Sequence, residues 1–469
     1  MKWDWKEMMG RLELRRVLEA ALQNGGDLAE LFFESTESTR IVFEAGKVEK
    51  ILEGTNAGVG LRIVFGGRVA YGYTTDLTAG GLLELAESLS GGVNGVTRKA
   101  AVAREFREVA VKRGFEIRRS PRDVPIETKL QWVSRADAAA RAELPDARQV
   151  SAYSIDSRRS TLVVNSDGSA APFEKTYLQF VVEVVGERGS RVESAHESDG
   201  GFVGAEFLDE NPPEAIARAA AKRVKILLSA EPAPAGTMPV ILSAEAGGTM
   251  IHEAVGHGLE ADLACNGLSV YQGKIGKQVA SPLITVIDDG TMPERRGSYG
   301  VDDEGTPSGK TVLIENGMLK GYLVDRVSAM KFDLPATGNG RRESFRHKPI
   351  VRMTNTYIAP GMHDPKKILE ETETGIFVRA MGGGQVNTVT GDFVFAVTEG
   401  YRIVNGKLGA PIRGATLVGN GPKVLMEVDR VGTDLGFATG TCGKDGQGAP
   451  VTDAQPTLRI PALTVGGEA

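Results

Sequence analysis

Residues 247–262 read G-G-T-M-I-H-E-A-V-G-H-G-L-E-A-D, and their apolar spacing predicts a helix over about residues 246–259. His252 and His257 are five residues apart within this segment. The common metal-binding pattern H-E-x-x-H instead places its histidines four apart, on one face of a helix. On a regular α-helix, residues five apart point about 140° away from each other, so these two imidazoles would not meet at one ion.

A π-type turn would change that geometry, because its i→i+5 hydrogen bonds bring residues five apart onto one face. Gly256 precedes His257, and its missing side chain permits a local distortion or the close approach of another group. The alternative is that both histidines are ordinary surface or core residues. The spacing therefore predicts a metal site only if the helix is locally widened.

Cys442 is a candidate third ligand. It lies in G-T-C-G-K-D-G-Q, where glycines on both sides make it poor filler for a hydrophobic core. Two imidazoles, a thiolate and a water complete a tetrahedral catalytic site with one open position. Glu253, next to His252, is then placed to deprotonate that water as a general base. Cys265, in L-A-C-N-G, is a competing ligand, but its surroundings are more typical of packing.

The composition is that of a globular protein, with 25% charged and 41% hydrophobic residues among 469. This length predicts two or three domains. The net charge of -6 argues against direct nucleic-acid binding, which favours a basic surface. The N-terminus does not resemble a signal peptide and no run approaches the ~20 apolar residues of a membrane span, so we expect a cytoplasmic protein without membrane contact. The two cysteines do not suggest a disulfide framework.

Glycine accounts for 59 residues, and most of them separate short β-like runs, which indicates a sheet-rich protein. Apolar spacing predicts helices over about residues 14–22, 76–89, 126–143 and 211–229. Two-residue turns predict hairpins around residues 45–46, 66–67, 316–317 and 405–406.

A linker candidate divides the chain into two predicted domains. Residues 231–236 read E-P-A-P-A-G, which is typical of an interdomain connection. We therefore predict an N-terminal α+β domain over residues 1–235. A β-rich domain over residues 236–469 would carry the metal-site helix, and the fold class is α+β.

Four separated motifs give the chain a specific resemblance to the TldD family, the TldD/PmbA metallopeptidases named as modulators of DNA gyrase. The first is the histidine segment quoted above. The others are M-G-G-G-Q-V-N-T-V-T-G-D-F-V-F at residues 381–395, G-N-G-P-K-V at 419–424 and T-G-T-C-G-K-D-G-Q at 439–447. G-V-G-L-R-I-V at residues 58–64 extends the resemblance to the N-terminal half.

The resemblance implies a metallopeptidase with a two-domain TldD/PmbA-like fold. It implies that His252, His257 and Cys442 are the metal ligands, that Glu253 is the catalytic base and that the ion is zinc. Family members act on unstructured or partly unfolded peptides. They often pair with a related PmbA/TldE-type subunit that lacks H-E-x-x-x-H. This chain contains the motif and so resembles the catalytic TldD-type subunit, in a dimer with such a paralogue or with itself.

Two other functions remain open from the residues alone. A non-catalytic modulator or binding subunit would have no need of the ligand set. A cysteine hydrolase would use Cys442 as the nucleophile and a histidine as its base. We interpret the glycines at residues 382–384 and 419–421 as turns or close backbone approaches, because a complete phosphate-binding pattern and a strand-loop-helix context are lacking.

Other residues of the C-terminal half are candidates for substrate contacts. Tyr299, His347 and Tyr401 could stabilise an oxyanion, and the sequence favours none of them. The basic cluster at residues 341–347 either binds a substrate carboxylate or is a solvated surface. An unfolded substrate could add to a sheet edge as an extra strand, since main-chain hydrogen bonds do not require a particular side chain.

Overall fold

The structure, a computed structural model, describes residues 4–93, 99–111 and 116–467. Met1 and Ala469, the outer ends of the two predicted domains, lie outside the described residues. The chain is 44% strand and 24% helix, which confirms the α+β class with a β-rich C-terminal half. No helix in these ranges has the length and apolar character needed to span a bilayer.

The helices confirm the predicted ones to within a few residues at each end and add several short ones. They are α1 (Trp5–Arg11), α2 (Leu14–Ala21), α3 (Ala79–Gly91), α4 (Ile126–Glu143), α5 (Phe207–Glu210), α6 (Pro213–Ser229), α7 (Thr249–Ile251), α8 (Ala261–Ala264), α9 (Arg326–Phe332), α10 (Pro365–Glu370) and α11 (Gly421–Glu427). The helices α1, α5 and α8 to α11 were not predicted, because helices of four to seven residues are too short to show a 3.6-residue period.

The strands are numbered in chain order. They are β1 (Leu28–Glu44), β2 (Lys47–Phe65), β3 (Arg68–Thr74), β4 (Arg107–Glu108), β5 (Ala147–Asn165), β6 (Ser169–Arg188), β7 (Arg191–Gly201), β8 (Glu231–Pro232), β9 (Gly236–Leu242), β10 (Val286–Asp289), β11 (Lys310–Glu315), β12 (Met318–Leu319), β13 (Gly340–Arg341), β14 (Ile350–Val351), β15 (Asn355–Ile358), β16 (Thr374–Val386), β17 (Asp392–Val404), β18 (Lys407–Arg413), β19 (Thr416–Asn420), β20 (Arg430–Val431), β21 (Gly436–Lys444), β22 (Gln447–Gln455) and β23 (Leu458–Gly466).

The N-terminal half contains one mostly antiparallel sheet in the order β3-β2-β1-β5-β6-β4, with β7 also paired to β6. The predicted hairpin turns are confirmed: Ala45, Gly46, Gly66 and Gly67 all have positive φ and join β1 to β2 and β2 to β3. Helices α4 and α6 cover β5 and β6 through a shared apolar core. Among the described strands β7 pairs with β6 alone, so it forms an outer edge of the sheet.

The C-terminal half contains a six-stranded and an eight-stranded sheet around one core. The first has the order β12-β11-β10-β15-β22-β21, and the second contains β16, β9, β23, β19, β17, β18 and β8, with β20 also paired to β23. The predicted turn at residues 405–406 joins β17 to β18, where Val404 pairs with Lys407. The predicted linker is ordered where Glu231 and Pro232 pair with β18. The division at residue 235 stays a prediction.

A buried charge network joins the N-terminal sheet to the C-terminal half. The Arg62 guanidinium donates to Glu30 at 2.5 Å and to Glu304 at 2.6 Å, and all three side chains are fully buried. Arg342 also donates to Glu30. Arg341 donates to two backbone carbonyls. Arg342 therefore links the two halves, whereas Arg341 binds within the C-terminal half. Both side chains are buried, so neither predicted role, binding of a substrate carboxylate or solvation, fits them.

Candidate metal centre

The histidine segment contains the π turn that a metal site shared by His252 and His257 requires. Helix α7 leads into a π turn over residues 252–256, and a 3-10 turn over residues 257–259 follows. The N–H of His257 donates to the carbonyl of His252, which is the i→i+5 bond. The two imidazole centroids lie 5.0 Å apart with their planes at 88°. Both rings are thus on the same side of the turn.

Close packing fixes this turn from outside. A Cβ atom on Gly256 would lie 1.9 Å from the Sδ atom of Met353. Gly256 has ordinary helical angles, so it is needed for space and not for an unusual backbone conformation. The hydroxyl of Tyr271 donates to the carbonyl of Ala254 at 3.1 Å. Gly421 lies so near that a Cβ there would be 2.6 Å from the same oxygen, which gives the G-N-G-P motif a packing role.

Cys442 reaches the two histidines from β21, the edge strand of the six-stranded sheet. The ligand atoms of His252, His257 and Cys442 all lie within 4.8 Å of one another. We call these three residues the His–His–Cys cluster. The Sγ atom of Cys442 is 3.3 Å from Nε2 of His257. Buried Arg352 donates to the carbonyls of Cys442 and Gln447 and so holds the β21–β22 hairpin in place.

Each histidine is oriented by a carboxylate that sequence analysis missed. Nδ1 of His252 is 2.7 Å from Asp453, and Nδ1 of His257 is 3.0 Å from Glu260. A carboxylate bound to Nδ1 favours the tautomer whose Nε2 lone pair is free for a metal. No signal in the sequence was specific for Asp453 or Glu260. It offered only the general rule that a metal-binding histidine needs a hydrogen-bond partner at its second ring nitrogen. The donor set and its supports fit a divalent ion such as zinc.

The negative groups around the two imidazoles favour positive charge at the cluster. Burial lowers the pKa of both imidazoles, but their carboxylate partners and the Cys442 sulfur outweigh it. The pKa of His257 rises to about 10, and that of His252 lies well above its usual range. Burial raises the pKa of Cys442, but the two histidines lower it further, to about 5. Metal binding to such a group displaces the imidazole protons.

Glu253 lies beside the cluster in a cleft of about 650 Å³. Burial raises the pKa of its carboxyl group. Among the residues that the structure describes, none forms a hydrogen bond or ion pair with this carboxylate. The cleft is also lined by residues 194–200 of β7, 380–383 of β16 and 437–443 of β21. Glu253 is therefore free to accept a proton from a molecule in the cleft.

The other candidates lie outside this arrangement. Tyr299 is buried and donates to the carbonyl of Gly338, whereas the Tyr401 hydroxyl donates to Glu399. His347 contacts Ser344, and none of the three candidate oxyanion donors lines the cleft. Cys265 is half-buried and packs against the core, as expected for a structural cysteine.

One glycine motif has a context that the sequence did not reveal. β19 ends at Asn420 and α11 begins at Gly421, so a strand leads directly into a helix there. No loop lies between these two described elements, so the strand-loop-helix context of a phosphate site is lacking at this motif, as the sequence indicated. The helix contacts the π turn through Gly421, which is the close backbone approach that the glycines predicted.

Three protein-family models match successive segments of the chain. Residues 235–467 match the PmbA/TldA metallopeptidase C-terminal domain, residues 119–228 its central domain and residues 29–102 its domain 1. The chain is 36% identical over 448 residues to the metalloprotease TldD homolog of Haemophilus influenzae, which covers 94% of this chain and 93% of the relative. A zinc metalloprotease TldD homolog of Saccharolobus solfataricus is 34% identical over 247 residues, covering 52% of this chain and 55% of that protein.

Solved structures share the whole fold at low sequence identity. A Thermotoga maritima protein, titled as a candidate modulator of a DNA gyrase, has a TM-score of 0.79 at 21% identity and covers 98% of this chain and 100% of its own. TldE from Thermococcus kodakarensis has a TM-score of 0.78 at 18% identity and covers 97% of this chain and 100% of its own. These likenesses show the fold alone.

Proposed function

The chain belongs to the PmbA/TldD metallopeptidase family, and on that premise we propose that it is a zinc-dependent peptidase that cleaves extended, unfolded peptides. The observation that carries the proposal is the convergence of the His–His–Cys cluster beside the cleft, which His252 and Cys442 line. A non-catalytic binding subunit would not need this ligand set. The name of the Saccharolobus relative supports zinc as the ion.

The residues of the cluster divide the work of such a site. A zinc ion held by Nε2 of His252, Nε2 of His257 and Sγ of Cys442 would supply Lewis acidity to the scissile carbonyl and to a water molecule. Asp453 and Glu260 keep the two imidazoles in the tautomer and orientation that ligation needs. The burial of the cluster excludes bulk water and strengthens every charge interaction within it.

Glu253 is the proposed general base. Its carboxylate faces the cleft one residue after His252 and carries no hydrogen bond from the described residues. It accepts a proton from the attacking water and then delivers that proton to the nitrogen of the leaving amine. A general base at this position typically contributes a factor of about 10² to 10⁴ in rate.

The edges of two sheets give the cleft a way to hold an extended peptide. β7 and β21 each have one side paired, to β6 and β22, and both line the cleft. In an antiparallel ladder that closes with a two-residue turn, Thr439 and Thr441 direct their backbone amides away from β22. Pro450 lies opposite Thr441 and lacks an N–H, which agrees with this pattern. A peptide in strand conformation could bond these amides with little regard to its side chains.

The proposal includes a cytoplasmic dimer. The fold shared with TldE supports pairing with a related subunit that lacks the ligand motif, and pairing with a second copy of this chain is the alternative. Size measurement of the chain alone and after mixing with such a subunit separates the two arrangements.

Metal analysis and a peptidase assay test the proposed function. We expect about one zinc per chain, loss of cleavage of an unstructured peptide after chelation, and recovery when zinc is added back. Glu253→Gln should retain the metal and lose at least about 100-fold in rate. Glu245→Gln is the matched control, because this carboxylate of the same cleft pairs with Arg379 at 3.2 Å and not with the cluster. A wild type without metal, or a Glu253→Gln variant that loses it, would contradict the proposal.

One observation favours a second candidate, a cysteine hydrolase. The Cys442 sulfur lies 3.3 Å from Nε2 of His257, and its lowered pKa of about 5 describes a thiolate. In that case cleavage would survive exhaustive chelation, and mass spectrometry would detect an acyl group on Cys442. Activity that requires zinc and leaves no acyl group supports the metallopeptidase.

A further inference from the structure

We propose that Lys444 is a positioning residue of the metal centre: it acts through Glu260 to hold His257 and ties that histidine to the strand that carries Cys442. The inference rests on the proposed function, since it concerns the affinity of the His–His–Cys cluster for its ion. Lys444 itself lies outside the cluster.

The ammonium group of Lys444 is completely engaged. It lies on β21, two residues after Cys442, and its side chain is only 8% exposed. Nζ donates to Glu260 at 2.9 Å, to Asp262 at 2.7 Å and to the carbonyl of Val351 at 3.1 Å. An ammonium has three protons, and these three acceptors use all of them. Such a lysine has one fixed position, in contrast to a solvated lysine on a surface strand.

Glu260 transmits that position to the histidine. Its side chain is fully buried, and the same oxygen, Oε2, accepts from Lys444 at 2.9 Å and is 3.0 Å from Nδ1 of His257. The second oxygen of Glu260 has no hydrogen-bond partner in the described part of the chain. A buried carboxylate is costly unless a cation compensates its charge. Lys444 provides that cation and allows Glu260 to remain an ionised acceptor for His257.

The contacts form a closed ring across the centre. His257 and Cys442 are 185 residues apart in sequence and come from different elements. Lys444 is joined to Cys442 through the backbone of β21. It is also joined to His257 by hydrogen bonds through Glu260, so both connections lead to the cluster. Without Lys444, Glu260 would carry an uncompensated charge and the hairpin would lose its tie to the histidine turn. The Nε2 lone pair of His257 would then be less well aimed.

Cobalt binding to the metal-stripped full chain tests this role without measuring activity. Lys444→Met is expected to lower Co²⁺ and Zn²⁺ affinity about 10–100-fold and to change the visible d–d bands of the cobalt protein. Lys129→Met is the matched control, because Lys129 is also buried and donates to Asp156 at 2.6 Å, but between α4 and β5 of the N-terminal half. The control should lower the free energy of unfolding and leave both affinity and spectrum at wild-type values.

A charge-balanced double variant tests whether Lys444 acts on His257 through Glu260. In Lys444→Met/Glu260→Gln the fully buried charge of Glu260 is removed together with its cation, and the amide oxygen can still accept from His257. Asp262 keeps its charge, but its side chain is 27% exposed and is reached by water. Its Co²⁺ affinity should exceed that of Lys444→Met and remain below that of the wild type. If Lys444→Met does not fold, the double variant decides alone: wild-type affinity with an unchanged spectrum overturns the proposal.

The remaining outcomes are also decisive. The inference is overturned if Lys444→Met binds Co²⁺ as the wild type does, or if the double variant recovers nothing relative to the single one. Failure of the proposed function gives a different signature, because then the wild type itself would show neither tight Co²⁺ binding nor a thiolate-to-cobalt charge-transfer band.

Discussion

Gly256→Ala is the substitution that most directly tests the geometry of the π turn. The new Cβ would lie 1.9 Å from Sδ of Met353 and 2.9 Å from its methyl carbon. Carbon contacts normally begin near ~3.5 Å, so the turn or the Met353 side chain has to move by about 1.5 Å. Met353 is fully buried and its carbonyl accepts from Arg341, which leaves little room. Overpacking of this kind costs about 1–3 kcal/mol, and the better helix propensity of alanine offsets at most about 1 kcal/mol.

Urea denaturation of the metal-free protein measures the cost. We expect the midpoint of Gly256→Ala to fall with an unchanged slope, equivalent to a loss of about 1–2 kcal/mol in the free energy of unfolding. Zinc affinity should fall as well, because movement of residue 256 displaces the adjacent His257 from the cluster. The Co²⁺ spectrum of the variant reports that displacement separately from stability.

A double variant identifies the clash as the cause. Met353→Ala alone should cost about 2–5 kcal/mol, because it leaves a cavity. In Gly256→Ala/Met353→Ala the new methyl group enters that cavity, so the combined loss should be smaller than the sum by about 1–2 kcal/mol. Additive losses, or a Gly256→Ala variant with wild-type stability and zinc affinity, would refute the reasoning.

Three further predictions follow from other groups. Cys442→Ser should lower zinc affinity by at least about 10-fold and abolish the thiolate-to-cobalt band, since a hydroxyl is a weaker ligand than a thiolate; unchanged binding would remove Cys442 from the ligand set. Asp453→Asn should lower zinc affinity by about 10–100-fold, measured by competition with a chelator, because His252 loses its carboxylate partner. Lys175 is buried over the ring of Tyr299, and burial lowers its pKa from 10.5 to about 7, although Asp303 opposes the shift. Between pH 7 and 10.5 the unfolded chain binds this proton and the folded chain does not, so the lysine makes stability rise with pH in that window. Lys175→Met should therefore be more stable than the wild type by up to ~4 kcal/mol near pH 7, with a difference that shrinks toward pH 10.5 in urea titrations; a pH-independent difference would contradict this account.

Much of the fold could be predicted from the sequence, because it depends on the chemistry of short segments. The apolar spacing of α2, α3, α4 and α6 is a property of each segment, and the two-residue turns with positive φ are fixed by their own residues. The π turn also followed from a local argument, because only a widened helix places His252 and His257 on one side. The short C-terminal helices contain too few residues for such a signal.

Only the tertiary structure decided the surroundings of the histidines. Asp453 of β22 contacts His252, and Lys444 of β21 contacts Glu260, the partner of His257. The distance in sequence hides both contacts. The same holds for Arg341 and Arg342, whose sequence pattern suggested a basic cluster open to substrate or solvent. Both side chains are buried: Arg341 donates to backbone carbonyls, and Arg342 donates to Glu30 of the N-terminal half. The sequence shows which groups carry charge. Whether a charge is buried, and which opposite charge compensates it, depends on how the sheets pack together.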